Sequence, residues 1–355
     1  MSKFWSPSVR ELKPYVPGEQ PRERLIKLNT NENPYPPAPA VERVLRDYPV
    51  DHLRLYPDPE ANALREALAR EYNVQPEQIF LGNGSDEVLA FAFQAFFCHD
   101  APLLMPETTY SFYPVYCQLY GIDFKRIALD EQWRIALDAF DSDNGGIVFA
   151  NPNAPTGHGH PRTAIAALLR QHTERVVLVD EAYIDFGGES AVELIDDYSN
   201  LLVTGTFSKS RSLAGLRIGF AIGSRELIEG LERVKNSFNS YPLDSLAIAA
   251  GVAAVEDRAH FQACCEAVIA TRERTRQGLE RLEFEVLPSQ ANFLFVRPRA
   301  LNALEIFKGL RERGILVRHF NTDTLRDFLR ISIGTDDEME TLLEVLAALI
   351  NSSPR

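Results

Sequence analysis

Short apolar runs recur between helically spaced stretches from residue 79 to residue 222. Runs at 79–81, 102–105, 124–128, 147–150, 176–179, 201–204 and 218–222 predict strands, and spacing at 86–97, 112–120 and 162–172 predicts helices between them. Short apolar strands alternating with amphipathic helices indicate a mainly parallel sheet covered on both faces. Ligands of such sheets collect at the carboxyl ends of the strands. Downstream the texture changes. Residues 225–238 and 243–282 read as long helices interrupted near Tyr241-Pro242. Strands at 284–287, 293–296, 315–318 and 328–333 then accompany helices at 302–313 and 336–350. That is an α+β pattern.

The first 60 residues are irregular and proline-rich, with a short helix predicted at 41–48 and an amphipathic one at 60–72. Asn29-Thr30-Asn31-Glu32-Asn33-Pro34-Tyr35-Pro36-Pro37 suits neither a helix nor a central strand. The interleaved Trp5, Tyr15, Tyr35 and Tyr56 point to an arm that packs against something. The expected division is an arm with part of a small domain at 1–50, a large domain at 51–240, and a connecting helix with the small domain at 241–355.

Length and composition bound the picture. The 355 residues are 45% hydrophobic and 25% charged, ordinary for about two globular domains. A net charge of −13 argues against nucleic acid or an anionic membrane surface as partner. The N-terminal residues show no apolar signal core, and no apolar run is long enough to span a bilayer. Cys98, Cys117, Cys264 and Cys265 lack metal-ligand spacing and read as buried free thiols in a reducing cytoplasm.

The candidate chemistry sits at strand ends. Lys209 lies between two apolar runs, flanked by Thr206, Ser208 and Arg217. Alone it is an ordinary loop lysine; carried inward, its amine is a nucleophile and the hydroxyls and guanidinium are phosphate ligands. Asp180 ends the run 176–179 and needs a cation or proton donor if buried, unless it only caps a helix. Tyr183 offers a phenol three residues on. Gly82-Asn83-Gly84-Ser85-Asp86-Glu87 joins a strand to a helix whose first amides can hold a phosphate, though it is also an ordinary capped turn. Asn151-Pro152-Asn153-Ala154-Pro155-Thr156-Gly157 makes a rigid polar loop, and Tyr110 follows another strand. His158-Gly159-His160 lacks further ligands nearby and reads as solvated loop. One ligand uses the whole set. Pyridoxal phosphate needs a lysine for its aldehyde, an anion for its ring nitrogen, a donor for its ring oxygen, an aromatic stack and a phosphate cup.

These motifs, in this order and spacing, resemble the fold-type I pyridoxal-phosphate aminotransferases. Leu28 to Pro34, Leu55-Tyr56-Pro57-Asp58 and Gly82 to Glu87 narrow the resemblance to the histidinol-phosphate aminotransferases, over nearly the whole chain. The resemblance implies a large α/β domain with a seven-stranded, mainly parallel sheet and a smaller α+β domain. It implies that Lys209 holds the cofactor, Asp180 its ring nitrogen, Tyr183 its ring oxygen, and that Tyr110 stacks on the ring. Gly84, Ser85 and Asp86, with Thr206, Ser208 and Arg217, would bind the phosphate. Tyr56 would reach the partner's site in a homodimer. Arg330 would take a substrate carboxylate, Arg318 with Tyr15 a substrate phosphate, and Asn33 would also face substrate. The family commonly has asparagine where this chain has Ala154, so Asn153 is the substitute expected at the ring oxygen. His319, beside Arg318, is a further candidate for the substrate pocket.

The expected reaction moves an amino group from glutamate to imidazole acetol phosphate, giving histidinol phosphate and 2-oxoglutarate in histidine biosynthesis. The competing readings are an aminotransferase for aromatic amino acids and a lyase that decarboxylates threonine phosphate. A non-catalytic sensor module would need a DNA-binding domain, and residues 1–60 hold no helix-turn-helix and no basic patch.

Overall fold

A strand buried along its whole length must be covered on both faces, and every strand of the large sheet except the two at its edges is of that kind. The computed structural model describes residues 3–352 apart from Val16, Arg24 and Ser142. The chain opens with α1 (Pro7–Glu11), β1 (Ile26–Lys27), α2 (Pro39–Arg46) and α3 (Asn62–Tyr72). Then come β2 (Ile79–Asn83), α4 (Gly84–Phe96), β3 (Leu103–Pro106), α5 (Tyr113–Tyr120) and β4 (Phe124–Ile127). They are followed by β5 (Gly146–Ala150), α6 (Arg162–Gln171), β6 (Val177–Asp180), β7 (Leu201–Thr206) and β8 (Ile218–Gly223). Next are α7 (Arg225–Phe238), α8 (Ser245–Glu256), α9 (Arg258–Arg281), β9 (Phe284–Val286) and β10 (Phe293–Pro298). The described chain closes with α10 (Ala303–Glu312), β11 (Ile315–Leu316), β12 (Arg318–His319), β13 (Leu329–Ser332) and α11 (Asp336–Ser352).

The seven-stranded sheet has the order β2-β8-β7-β6-β5-β3-β4. All neighbours are parallel except β8, which runs antiparallel to both β2 and β7. Alternation along the strands feeds two cores. Val177, Val179, Leu201 and Val203 pack with α2, α3, α6 and α8. Leu178, Leu202, Val148 and Met105 pack with α4, α5 and α7. A smaller sheet, β12-β13-β10-β9, is antiparallel, and β1 pairs with β11 in parallel beside it. Its core joins Leu294, Val296 and Ile331 to residues of α9, α10 and α11. Among the described residues no helix is long and apolar enough to cross a membrane.

Three expectations change. The helix predicted from 243 to 282 is broken at Asp257, whose carboxylate caps α9 by accepting from the His260 amide at 3.3 Å. The packing boundary falls there rather than near residue 240. Ala247, Ala250 and Val255 of α8 share a core with Leu64 of α3 and Val41 of α2, so α2 and α8 belong to the large domain. Cys98, just past the end of α4, is exposed, while the other three free cysteines are buried.

The reversed β8 matters for the site. Its first residues lie beside the ends of β2 and β7, with Ile218 opposite Asn83 and Gly219 opposite Thr206. Arg217, just before β8, therefore shares one sheet edge with Gly84 and with the loop that carries Lys209.

Candidate active site

At that edge a cavity of about 190 Å³ is lined by Lys209, Asp180, Tyr183, Tyr110, Ser208 and Arg217, among others. Lys209 follows β7 on a short turn. Its Nζ donates to the Thr30 carbonyl at 3.2 Å and lies 5.8 Å from the centre of the Tyr183 ring. Asp180 is the last residue of β6, only 4% exposed. Burial pushes its carboxyl up to about 6, against hydrogen bonds from Tyr113 Oη at 2.9 Å and Thr204 Oγ1 at 3.2 Å. A cation brought to this carboxylate replaces the missing solvation.

Part of the lining forms a cradle suited to an anion. Asp86, in the first turn of α4, accepts from Tyr110 Oη at 3.0 Å and from Arg217 Nη2 at 2.9 Å, fixing ring and guanidinium together. Thr206 Oγ1 bonds Ser208 Oγ at 3.0 Å. Gly84 has a φ of +79°, and a Cβ there would stand 2.5 Å from Arg217 Nη2. A Cβ on Gly219 would stand 2.3 Å from the Gly84 carbonyl carbon. Two missing side chains thus leave the helix start, the arginine and the hydroxyls converging on one space. Gly84→Ala is expected to weaken cofactor affinity about 10-fold or more, by displacing Arg217; a fluorescence titration of apoprotein with pyridoxal phosphate measures it.

A second cavity, about 370 Å³, shares Tyr110 and Ala154 with the first and adds Tyr15, Arg318 and Arg330. Arg330 Nη2 donates to the Asn29 carbonyl at 3.0 Å, and its guanidinium lies 5.4 and 5.8 Å from the Phe293 and Phe320 ring centres. Its Nε is buried with no hydrogen-bond partner among the described residues. Among the described residues no carboxylate pairs with Arg330 or Arg318; the ion pairs lie elsewhere. Two guanidinium groups without counter-ions face a cavity beside a lysine.

The structure gathers Lys209, Asp180, Tyr183, Tyr110, Ser85, Asp86, Thr206, Ser208 and Arg217 in one cavity, and Tyr15, Arg318 and Arg330 in its neighbour. Other residues sit differently from expectation. Asn153 is fully buried, and its side-chain amide donates to the Thr108 carbonyl at 3.0 Å and to Thr156 Oγ1 at 3.1 Å. Both its hydrogens are spent, one on the segment after β3 and one within its own loop, so Asn153 does not replace a donor at position 154, where Ala154 lines the cavity. Asn33 spends its amide on the Lys209 and Ser210 carbonyls, at 3.0 and 3.2 Å, and so holds the lysine turn rather than facing substrate. His319 turns to the Arg326 carbonyl at 2.8 Å, away from the pocket. Tyr56 is 83% exposed and stacks on Tyr241, lining neither cavity of its own chain. Among the described residues no cluster of three metal-ligating side chains exists, His158 and His160 included.

Sequence reasoning missed Tyr113, Thr204 and Asn31. Tyr113 reads as helix core, 67 residues from the carboxylate it bonds. Thr204 lies opposite Asp180 in the parallel register, so strand alignment alone would have found it.

An amine, a buried carboxylate, a phenol, a fixed aromatic ring and a glycine-floored anion cradle together fit pyridoxal phosphate. Comparison with known proteins agrees. The aminotransferase class I and II family model matches residues 23–346. Histidinol-phosphate aminotransferase of Chromohalobacter salexigens is 73% identical over 349 residues, 98% of this chain and 99% of that protein. Histidinol-phosphate aminotransferase 1 of Pseudomonas aeruginosa is 57% identical over 347 residues, again 98% and 99%. A similar fold occurs in the histidinol-phosphate aminotransferase of Sinorhizobium meliloti, solved in complex with pyridoxal-5'-phosphate, with a TM-score of 0.89, 24% identity and 99% of both chains covered. The chain belongs to the class I and II aminotransferases and, within them, to the histidinol-phosphate aminotransferases.

Proposed function

We propose that this enzyme transfers an amino group from glutamate to imidazole acetol phosphate, giving histidinol phosphate and 2-oxoglutarate, as a step of histidine biosynthesis. The observation that carries the reading is the unpaired Arg318–Arg330 couple beside the Lys209 cavity. One donor brings carboxylates and the other substrate brings a phosphate. A guanidinium fork matches either anion.

In this reading Lys209 Nζ would hold the cofactor by its aldehyde carbon, and Asp180 would keep a proton on its ring nitrogen. Tyr183 would donate to the ring oxygen, Tyr110 would cover the ring face, and the cradle of Arg217, Ser208, Thr206 and the α4 amides would bind the phosphate. When bound, the group supplies an electron-poor ring that accepts the electron pair left behind as the substrate's α-proton departs. Lys209 Nζ, on the cavity wall, would also be the base that carries the substrate's α-proton. Arg330 grips the glutamate α-carboxylate, and Arg318 with Tyr15 receives the phosphate of the other substrate.

We also propose a homodimer in which the exposed Tyr56 reaches the partner's cavity; the apolar, exposed Val50, Leu53 and Leu55 next to it support this. A cytoplasmic setting suits four cysteines that are all free thiols.

The test is a spectral half-reaction panel with histidinol phosphate, glutamate, phenylalanine, tyrosine and threonine phosphate. Conversion of the cofactor by histidinol phosphate and glutamate, and weakly by the others, is expected. Carbon dioxide released from threonine phosphate without a keto-acid acceptor would instead mean a decarboxylase. Arg318→Ala is expected to lower kcat/KM for histidinol phosphate about 10²-fold and for glutamate far less, because one charge-assisted pair to phosphate is lost. Equal losses for both would mean that Arg318 does not read the phosphate.

A further inference from the structure

Asn31 is 1% exposed and has a φ of +57°, a left-handed conformation that asparagine tolerates better than most side chains. Each of its polar groups is occupied. Its amide N–H donates to Ser332 Oγ at 2.9 Å, and its carbonyl accepts from Asn292 Nδ2 at 2.9 Å. Its side-chain oxygen accepts from Ser332 Oγ at 2.8 Å. That contact orients the side-chain amide, so Nδ2 donates to Tyr183 Oη at 3.0 Å. The consequence lies in the phenol. Tyr183 Oη receives a hydrogen bond from behind, so its own proton is free to be donated forward. Phe293 holds the ring edge-on at 5.1 Å, and the ring forms part of the wall around Lys209. Among the described residues no second side-chain amide competes from this loop, because Asn153 is spent on Thr108 and Thr156 and residue 154 is alanine.

We propose that Asn31, braced by Ser332, is a positioning residue that commits the Tyr183 hydroxyl to donating into the cofactor cavity, and thereby sets the protonation of the cofactor's ring oxygen. A donor at that oxygen favours its anionic form and lowers the pH at which it loses a proton. A hydrogen bond received by the phenol makes it a stronger donor. The inference concerns the cofactor alone and holds whichever amino acid the enzyme takes.

The visible absorbance of bound pyridoxal phosphate follows this protonation, so a pH titration of the holoenzyme reads it without turnover. Asn31→Asp keeps the shape and tolerates the backbone conformation, but its carboxylate only accepts; it turns the Tyr183 proton away from the cavity. The midpoint is expected to rise by about one pH unit. Asn31→Gly keeps the backbone conformation, removes the donor, and is expected to raise the midpoint by less. In a Tyr183→Phe background the Asn31→Gly substitution is expected to add nothing, since the hydroxyl it acts through is gone. Unchanged midpoints in both single variants would overturn the proposal. So would a shift from Asn31→Gly that is as large in the Tyr183→Phe background as in the parent enzyme, because that would mark a general loosening of the site. If Asn31→Asp fails to fold, the Asn31→Gly cycle still decides.

Discussion

Replacing Lys209 with alanine is expected to lower transamination by at least about 10⁴-fold, since nucleophile and proton carrier are lost together. The same variant should lose the protein–cofactor adduct that borohydride fixes, as read by mass spectrometry. Lys209 is the one lysine among the residues that line the cavity. Lys27 reaches only as far as Glu32 and Thr30 on the wall, at 2.5 and 2.8 Å, where its amine is held as an ion pair. An adduct that persists in Lys209→Ala, mapped to another amine, would sink the assignment.

Asp180→Asn should separate stability from activity. Activity is expected to fall about 10³-fold, because a neutral amide no longer holds a proton on the ring nitrogen. Stability of the apoprotein should move the other way. The Asp180 carboxyl ordinarily titrates at 3.8 and is pushed up to about 6 by burial. Between those values the folded chain keeps a proton that the unfolded chain has lost, so stability falls as pH rises through that window and stays lowered above it. The deficit at neutral pH is on the order of 3 kcal/mol. Asparagine can still accept from Tyr113 or Thr204 and carries no charge to desolvate. Thermal melts of the apoprotein from pH 4 to pH 7.5 are therefore expected to show a higher Tm for Asp180→Asn at neutral pH, with the difference vanishing toward pH 4. A variant that is destabilised across the whole range would show that the carboxylate is stabilised in ways the hydrogen bonds do not reveal.

Much of the site could be read from the chain because chemistry at a strand end leaves a local signature. Lys209, Asp180 and the Gly82 to Glu87 turn each stand where an apolar run stops, and the sheet brings those ends together. What resisted reading depends on partners remote in sequence. Tyr113 looks like helix core until β6 sets Asp180 before it. Asn31 looks like part of a proline-rich arm until Ser332 arrives. Asn153 and Asn33 have the right chemistry at the right places in the sequence, but their amides turn to other groups of the protein, and a side chain's orientation leaves no trace in residue type. The fold shows the same division. The strands and helices of the large sheet fall within a few residues of their expected bounds, since burial on both faces demands unbroken apolar runs. The domain boundary moved to Asp257 because an alanine-rich helix carries no mark of the core it will join.

The bond between Asn31 and Ser332 spans 301 positions of the chain, and this has a consequence for synthesis. When the ribosome has made Gly223, every strand of the large sheet has been synthesised, with Lys209, Asp180 and Arg217 among the residues made, but α7 and α8, which cover the sheet, have not. The brace behind Tyr183 and the Arg330 guanidinium do not yet exist. At usual rates of translation the residues that complete them follow roughly 5–20 s later. The residues of the cavity are therefore made well before the serine that braces Tyr183 through Asn31 and before the Arg330 guanidinium.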